Sequence, residues 1–206
     1  MSEASWRVDP DLRDKFHPDH PNDVQVIVHD GEPRRTKKPP EACWVQVDRV
    51  VGTMKVPSGP PDAKPPIPPN AIRWSERTVY GGKLLNQPKN LTSVRAGEIV
   101  TFVHCAGMPH PLAITPEYRA EREKWTFVPC SKCGADQGLD PPTTMARTRF
   151  PDAPAGSFPI AFTAFCPCGG TMVLSMIEDA APRPGAPSAG ASTHSSPGAK
   201  PWWKVW

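Results

Sequence analysis

The sequence predicts a mainly β protein, an antiparallel β-sandwich with extended N-terminal and C-terminal arms. Short apolar runs, alternating or continuous and rich in β-branched and aromatic residues, recur along the chain as they do in strands. Turn residues separate these runs, as expected for a sandwich of short strands. The 29 prolines among 206 residues are concentrated outside the runs. This distribution indicates a single core with extended segments on either side.

The first third of the chain is predicted to be an arm, two strands and a connector. Residues 1–23 are polar, charged and irregular, and are predicted to be an extended N-terminal arm. Residues 24–75 contain the strand-like runs "VQVIVH" (24–29) and "CWVQVDRVV" (43–51), then a proline-rich stretch (56–74). Proline fixes φ and lacks an amide donor, so this stretch is predicted to be extended chain on a surface. A disordered linker is the alternative.

Residues 76–179 are predicted to form the folded domain. One segment, "PEYRAEREKW" (116–125), favours a helix, because Pro116 suits the first helical turn. The strand candidates are "RTVYGG" (77–82), "EIVTFVHC" (98–105), "PLAIT" (111–115), "KWTFVP" (124–129), "SFPIAFTAFC" (157–166) and "TMVLSMI" (171–177).

The C-terminal region, 180–206, is predicted to be a flexible linker that ends in a docking peptide. Its first part is built largely of Ala, Pro, Gly and Ser, which is typical of a flexible tether. Three of the seven tryptophans lie in the last five residues, and tryptophan is enriched in binding hot spots. We expect this peptide to insert into a partner protein; folding back onto the domain and a functionless end are the alternatives. The residues expected to bind the partner are Trp202, Trp203, Lys204 and Trp206.

Charge and hydropathy exclude several classes of protein. The formal net charge of +3 is too small to indicate nucleic-acid binding. The basic run "RRTKK" (34–38) is predicted to be a solvated loop, with a phosphate contact as the alternative. The first residues lack the apolar stretch of a signal peptide, and no run is long enough to span a membrane. A cytoplasmic protein is therefore expected.

Four of the six cysteines are arranged as two knuckles. Cys130 and Cys133 form "CSKCG", and Cys166 and Cys168 form "CPCGG". Closely spaced thiols let a tight turn aim two sulfurs at one point, and two such pairs complete a tetrahedral site that suits zinc or a single iron. Zinc is the predicted metal, with iron or copper as alternatives. Free buried thiols or a disulfide would be the explanation without a metal.

Two separated segments resemble the cupredoxins, the small blue-copper β-sandwiches. The run "RAGEIVTFVHCAGMPHPLAI" (95–114) is similar to a cupredoxin strand followed by the turn that carries the first copper-binding histidine, and "AGMPH" places His110 there. The segment "PAGSFPIAFTAFCPCGGTMVLSMI" (154–177) is similar to the closing hairpin of that family, which carries the copper-binding cysteine. The resemblance covers roughly residues 95–177 and implies a cupredoxin-like fold.

The resemblance does not extend to a complete copper site. Blue copper needs two histidines and a cysteine with a weak axial methionine. His110 matches the first histidine, Cys166 the cysteine, and Met172 the axial ligand. The loop after Cys166 carries a second cysteine and two glycines in place of the second histidine. We therefore expect a degenerate copper site whose loop supplies half of a cysteine knuckle, while the 116–153 insertion brings "CSKCG" to the same end. A purple-copper centre and a rubredoxin-like iron centre are the weaker alternatives.

The combined pattern favours a non-catalytic, zinc-stabilised subunit that binds partner proteins within a larger assembly. An electron carrier with iron or copper at the cysteine cluster is the alternative. Catalysis is not predicted, because phosphate-loop, nucleophile-elbow and zincin patterns are missing from the sequence. The loop carboxylates Asp136, Asp140 and Asp152 are expected to be solvated, and Cys43 and Cys105 to be core residues.

Overall fold

The computed structural model describes residues 5–154 and 159–177. Within these residues most of the regular structure is strand, which confirms the mainly β prediction. The three short α-helices are α1 (Pro33–Thr36), α2 (Pro116–Arg122) and α3 (Pro142–Arg149). The strands are β1 (Phe16–His17), β2 (His20–Val28), β3 (Glu41–Ser58), β4 (Arg73–Leu84), β5 (Ile99–Val103), β6 (Leu112–Ala113), β7 (Trp125–Val128), β8 (Ala161–Phe165) and β9 (Thr171–Met176).

Every strand-like run of the sequence overlaps a strand, but three strands, β2, β3 and β4, extend beyond the predicted runs. β3 continues to Ser58 because its second half pairs with β4, up to the pair Ser58–Arg73. The ends of the predicted connector are therefore sheet, and only the chain between Ser58 and Arg73 links the two strands. The predicted N-terminal arm is also partly sheet, since β1 and the start of β2 lie within residues 16–23.

Five strands form a closed ring. β2 pairs with β3, and the antiparallel pairings then run through β4 and β5 to β6. β6 returns to β2 through a parallel pairing of Ile27 with Leu112. Alternate residues point inward, as the pleat of a strand requires, and Leu12 of the N-terminal segment closes this first core. The inward residues are Val24, Val26, Val28, Cys43, Val45, Val47, Tyr80, Leu84, Val100 and Phe102.

β7, β9 and β8 form a three-stranded extension of the sheet. β7 pairs with the end of β3 in parallel, at Ser58 and Phe127, and β9 lies between β7 and β8. Across residues 5–154 and 159–177 the sheet has nine strands, and it is mixed because the β2–β6 and β3–β7 pairings are parallel. The extension packs on α3 around a second core, which includes Trp125, Phe127 and Leu174.

No helix in the described part of the chain is long and apolar enough to cross a membrane.

Helix α2 is anchored on the ring by Tyr118, which packs in a third cluster with Met54, Val56 and Ile114.

His29 makes the stability of the ring dependent on pH. Its Nε2 lies 2.9 Å from the carbonyl oxygen of Ala113, and the amide of Gly31 donates to its Nδ1. The amide–Nδ1 bond requires an unprotonated Nδ1, and burial lowers the pKa of His29 from its ordinary value. The unfolded chain therefore binds more protons than the folded chain below about pH 6.5. We expect the free energy of unfolding to fall as the pH drops from 7 to 5.

Urea unfolding at several pH values checks this expectation. His29→Gln should flatten the profile, by at most about 1.4 kcal/mol per pH unit for one proton. Burial also lowers the pKa of His104 and of His110, so part of the slope should remain. The exposed His20, replaced by glutamine, serves as the control. An unchanged slope in His29→Gln would show that this histidine does not control the acid sensitivity.

Candidate metal centre

The fold brings the four cysteines of the two knuckles together. Their Sγ atoms all lie within 4.8 Å of one another. The Cys130–Cys168 and Cys133–Cys166 sulfurs are separated by 3.5 and 3.6 Å. A tetrahedral ion with metal–sulfur bonds of about 2.3 Å requires sulfurs about 3.8 Å apart, so the four thiols fit such an ion closely. All four cysteines are free, and the disulfide alternative is not observed.

The first knuckle is a tight loop that follows β7. The amide of Cys130 donates to the carbonyl of Ala135, and the amide of Gly134 donates back to the carbonyl of Cys130. The amide of Lys132 lies 3.5 Å from the Cys130 sulfur. The backbone thus turns its N–H groups toward the sulfur, where they stabilise a thiolate.

The second knuckle is the turn between β8 and β9. The amide of Cys166 donates to the carbonyl of Gly170 over 2.9 Å, and the amide of Gly170 lies 3.4 Å from the Cys168 sulfur. A Cβ atom on Gly170 would lie 2.5 Å from the Cys130 sulfur. The glycine is therefore required by the close approach of the first knuckle to the second.

Direct hydrogen bonds hold the two knuckles against each other. The amide of Ser131 donates to the carbonyl of Thr171 over 3.0 Å, and the Lys132 ammonium donates to the carbonyl of Cys168 over 2.9 Å. The chain itself therefore places the four sulfurs, and the Lys132 charge lies beside a site that would be anionic when its thiolates bind a divalent ion.

The electrostatics of the four thiols favour a bound cation. Burial raises the pKa of Cys130, but the amides of Cys133 and Lys132 outweigh it and lower this pKa to about 7. Burial raises the pKa of Cys133 and of Cys166, and the sulfurs of Cys130 and Cys168 add to both rises. Crowded thiols resist ionising together unless a positive ion compensates their charge. The donor set thus suits a thiophilic divalent ion.

The predicted histidine turn lies beside the first knuckle. A Cβ atom on Gly107 would collide with the carbonyl oxygen of Cys133, so the 106–110 loop packs directly on this knuckle. His110 is half-buried and is not a member of the ligand group found among the described residues. Met172 is buried and packs in the second core with Cys130 and Cys166.

Two of the loop carboxylates are buried, which corrects the prediction that they are solvated. Asp136 is only 5 % exposed, accepts the amide of Ala106 over 2.9 Å and lies 3.3 Å from the Arg77 guanidinium. Asp140 is also 5 % exposed and accepts from Arg35 over 2.8 Å. Both are structural acceptors that tie the segment after the first knuckle to the ring and to α1. Asp152 is exposed, as predicted.

The buried Arg122 is the main residue of the site region that the sequence pattern did not reveal. It is fully buried at the end of α2. Its guanidinium donates to the carbonyls of Trp125 and Asp136 and to the side-chain oxygen of Gln137. An arginine in a polar helical run is typical of a solvent-exposed face. The local sequence therefore did not predict the burial of Arg122, which depends on contacts with distant groups. It holds in place the segment that leaves the first knuckle.

Cys43 and Cys105 are buried core residues, as predicted, and lie outside the cysteine cluster. The aromatic residues predicted to bind a partner, Trp202, Trp203 and Trp206, lie outside the described residues, as does Lys204. Comparison of the chain with protein-family models, curated proteins and solved structures finds no match.

Proposed function

We propose that this protein is a non-catalytic, zinc-stabilised subunit that binds partner proteins within a larger assembly in the cytoplasm. The observation that carries the proposal is the set of four sulfurs from two hydrogen-bonded knuckles, all within 4.8 Å of one another. Four thiolates satisfy a tetrahedral zinc completely, which is the arrangement of structural sites. Such an ion adds stability and leaves no coordination position for a substrate or for water.

The position of the knuckles supports the stabilising role. In the described part of the chain, the three-stranded extension pairs with the ring only through β3 and β7, at Ser58 and Phe127. The metal ligands would come from the loop after β7 and from the β8–β9 turn, so one ion would join β7 to the β8–β9 hairpin at the same end of the extension. The cupredoxin-like resemblance belongs to this proposal: the turn that carries a copper ligand in that family would here carry two zinc ligands.

The partner-binding part of the proposal concerns the terminal peptide "PWWKVW" (201–206). A chain that ends after Lys200 is expected to keep its metal content and melting temperature but to lose association, because the tryptophans would be the hot-spot residues. Affinity capture from the native host, with full-length and truncated chains compared side by side, measures this. Normal assembly of the truncated chain, or a lowered melting temperature, would contradict docking through this peptide.

Electron transfer is the second candidate, and one observation favours it. Cys133 and Cys168 are only half-buried, and amides point at the sulfurs of Cys130 and Cys168. Amide–sulfur hydrogen bonds and partial exposure are features that tune iron–thiolate potentials. Metal analysis and the visible spectrum of protein purified from its native host separate the candidates. Zinc protein is colourless, because its d shell is filled, whereas ferric or cupric thiolate protein is coloured.

A further inference from the structure

Two pairs of sulfurs face each other across the knuckles. The Cys168 sulfur lies 3.5 Å from that of Cys130, and the Cys133 sulfur lies 3.6 Å from that of Cys166. These are the cross-knuckle pairs. Cys133 and Cys168 are half-buried, whereas Cys130 and Cys166 are buried. Each pair therefore combines one cysteine that is partly open to solvent with a buried cysteine whose sulfur is in contact with the first.

This combination is typical of cysteines that react with oxidants. An accessible thiolate is oxidised first, to a sulfenic acid, and a second cysteine beside it then converts the sulfenic acid into a disulfide. In both cross-knuckle pairs the second cysteine belongs to the other knuckle. The resulting bonds would therefore join the loop after β7 to the turn between β8 and β9.

The second knuckle is poorly suited to a disulfide of its own. Cys166 and Cys168 are separated by Pro167 alone, whose ring fixes φ. A bond between their sulfurs would close a small ring across this rigid residue, and such a ring strains the specific geometry of a disulfide. If two disulfides join all four sulfurs, each sulfur of the second knuckle must therefore bond to one of the first. The distances of 3.5 and 3.6 Å select the cross-knuckle pairs.

The chain already holds the two knuckles in the arrangement that these bonds need. The amide of Ser131 donates to the carbonyl of Thr171 over 3.0 Å, and the Lys132 ammonium donates to the carbonyl of Cys168 over 2.9 Å. Neither hydrogen bond involves a sulfur, so neither depends on whether the sulfurs bind an ion or each other. Small side-chain movements are therefore enough to form the two disulfides.

We propose that hydrogen peroxide converts the four zinc-bound thiolates into the two cross-knuckle disulfides and releases the zinc ion. In each pair the sulfur of the half-buried cysteine attacks one peroxide oxygen, the O–O bond breaks, and hydroxide leaves. The buried partner then attacks the resulting sulfenic acid, the S–S bond forms, and a second hydroxide leaves. One peroxide accepts the two electrons that one pair gives up, so two peroxides oxidise the whole centre.

The inference rests on the proposed zinc centre and adds a response to oxidants to its stabilising role. A disulfide lacks the thiolate charge that binds zinc, so the ion leaves. The three-stranded extension stays folded after oxidation, because two covalent bonds replace the ion between the same segments. A dithiol reductant reverses the reaction by thiol–disulfide exchange, and the regenerated thiolates bind zinc again.

The test treats the zinc-loaded full-length protein with hydrogen peroxide in the presence of a chromophoric chelator. We expect one zinc ion per chain to be released as two peroxides react, and to rebind when a dithiol and zinc are added. Peptide mapping without reduction should find both cross-knuckle disulfides. Residues 125–176 should stay protected from hydrogen exchange in the oxidised protein, whereas the reduced protein stripped of metal should lose this protection.

Two variants make the test specific to the cross-knuckle pairs. Cys105→Ala is the matched control, because Cys105 is a free buried thiol of the same core but lies outside the ligand group. It should release zinc as the wild-type protein does. Cys168→His keeps four possible ligands, since zinc also accepts three cysteines and a histidine. After peroxide treatment this variant should contain the Cys133–Cys166 disulfide and a Cys130 thiol that still reacts with iodoacetamide.

Three results would overturn the inference. These are zinc that stays bound after peroxide treatment, a disulfide between Cys130 and Cys133, and an oxidised protein that exchanges as fast as the stripped, reduced protein. Absence of zinc from the untreated protein would contradict the proposed function as well as this inference. The two failures are therefore distinguishable.

Discussion

Replacing Cys133 with serine should release the metal ion and unfold the three-stranded extension while the ring of β2 to β6 remains folded. A structural zinc contributes about 10–16 kcal/mol in small peptides, which matches or exceeds the typical total stability of a domain. We expect the extension to depend on this term because the thiols of its four cysteines crowd one another and because, within the described residues, β3–β7 is its one strand pairing with the ring. Serine offers no thiolate and leaves three sulfurs without a complete tetrahedron.

Hydrogen exchange read out by mass spectrometry checks this result peptide by peptide. Residues 125–176 should lose protection in Cys133→Ser and after chelation of the wild-type protein, whereas residues 20–28 should keep it. Cys43→Ala is the matched control, because Cys43 is a free buried thiol of the ring interior. That control should retain one metal ion per chain. Uniform loss of protection, or a folded and metal-free extension, would show that the cluster is not the stabilising element.

The strands could be predicted from the sequence because their signal is local. Alternation of Val24, Val26 and Val28 is visible in the sequence and becomes the inward face of β2. The closure of the ring is not local, since it depends on Ile27 meeting Leu112 through a parallel pairing. α3 was not predicted because "PTTMARTR" (142–149) is short and polar and shows no clear apolar stripe. Its position is set by contacts such as that of Ala146 with the second core.

The same distinction between local and distant signals holds for the candidate site. The four cysteines could be predicted because the ligand spacing within each knuckle is a local sequence pattern, and the fold places them together as predicted. The supporting contacts could not be predicted, because their partners are backbone groups of other segments. Asp136 was expected to be solvated, yet it accepts the amide of Ala106, which lies 30 residues earlier in the chain. Loop position predicts exposure only when no distant donor reaches the carboxylate.

Arg122 depends most strongly on such distant contacts. Its side chain is fully buried and lies 3.9 Å from the centre of the Phe127 ring. Burial lowers its pKa, and the neighbouring Tyr118 and Asp136 oppose this shift. The acceptors come from the end of β3, the start of β7 and the segment after the first knuckle: the carbonyls of Pro57, Trp125 and Asp136 and the side chain of Gln137. One side chain therefore joins the ring, the extension and the segment after the first knuckle.

Replacing Arg122 with methionine should lower the free energy of unfolding by about 3–5 kcal/mol, because several buried acceptors lose their donor and each unsatisfied buried group costs about 1–3 kcal/mol. Methionine fills much of the volume of the arginine side chain but donates no hydrogen bond. The backbone carbonyls that accept from Arg122 would therefore stay buried without donors. Arg122→Lys keeps the charge and loses the planar fork, so we expect an intermediate loss of about 1–3 kcal/mol.

Two comparisons make this prediction specific to the buried network. Arg119→Met, on the same helix, removes a single bond to the carbonyl of Thr53 and should cost about 1 kcal/mol or less. Because the Arg122 guanidinium holds Asp136 and Gln137 beside the first knuckle, Arg122→Met should also speed the transfer of zinc to a chromophoric chelator, and Arg119→Met should not. Urea unfolding and chelator kinetics measure the two effects. If Arg122→Met matched the wild-type protein in both, the guanidinium would only fill space, and the link between the ring and the metal loop would have to lie elsewhere.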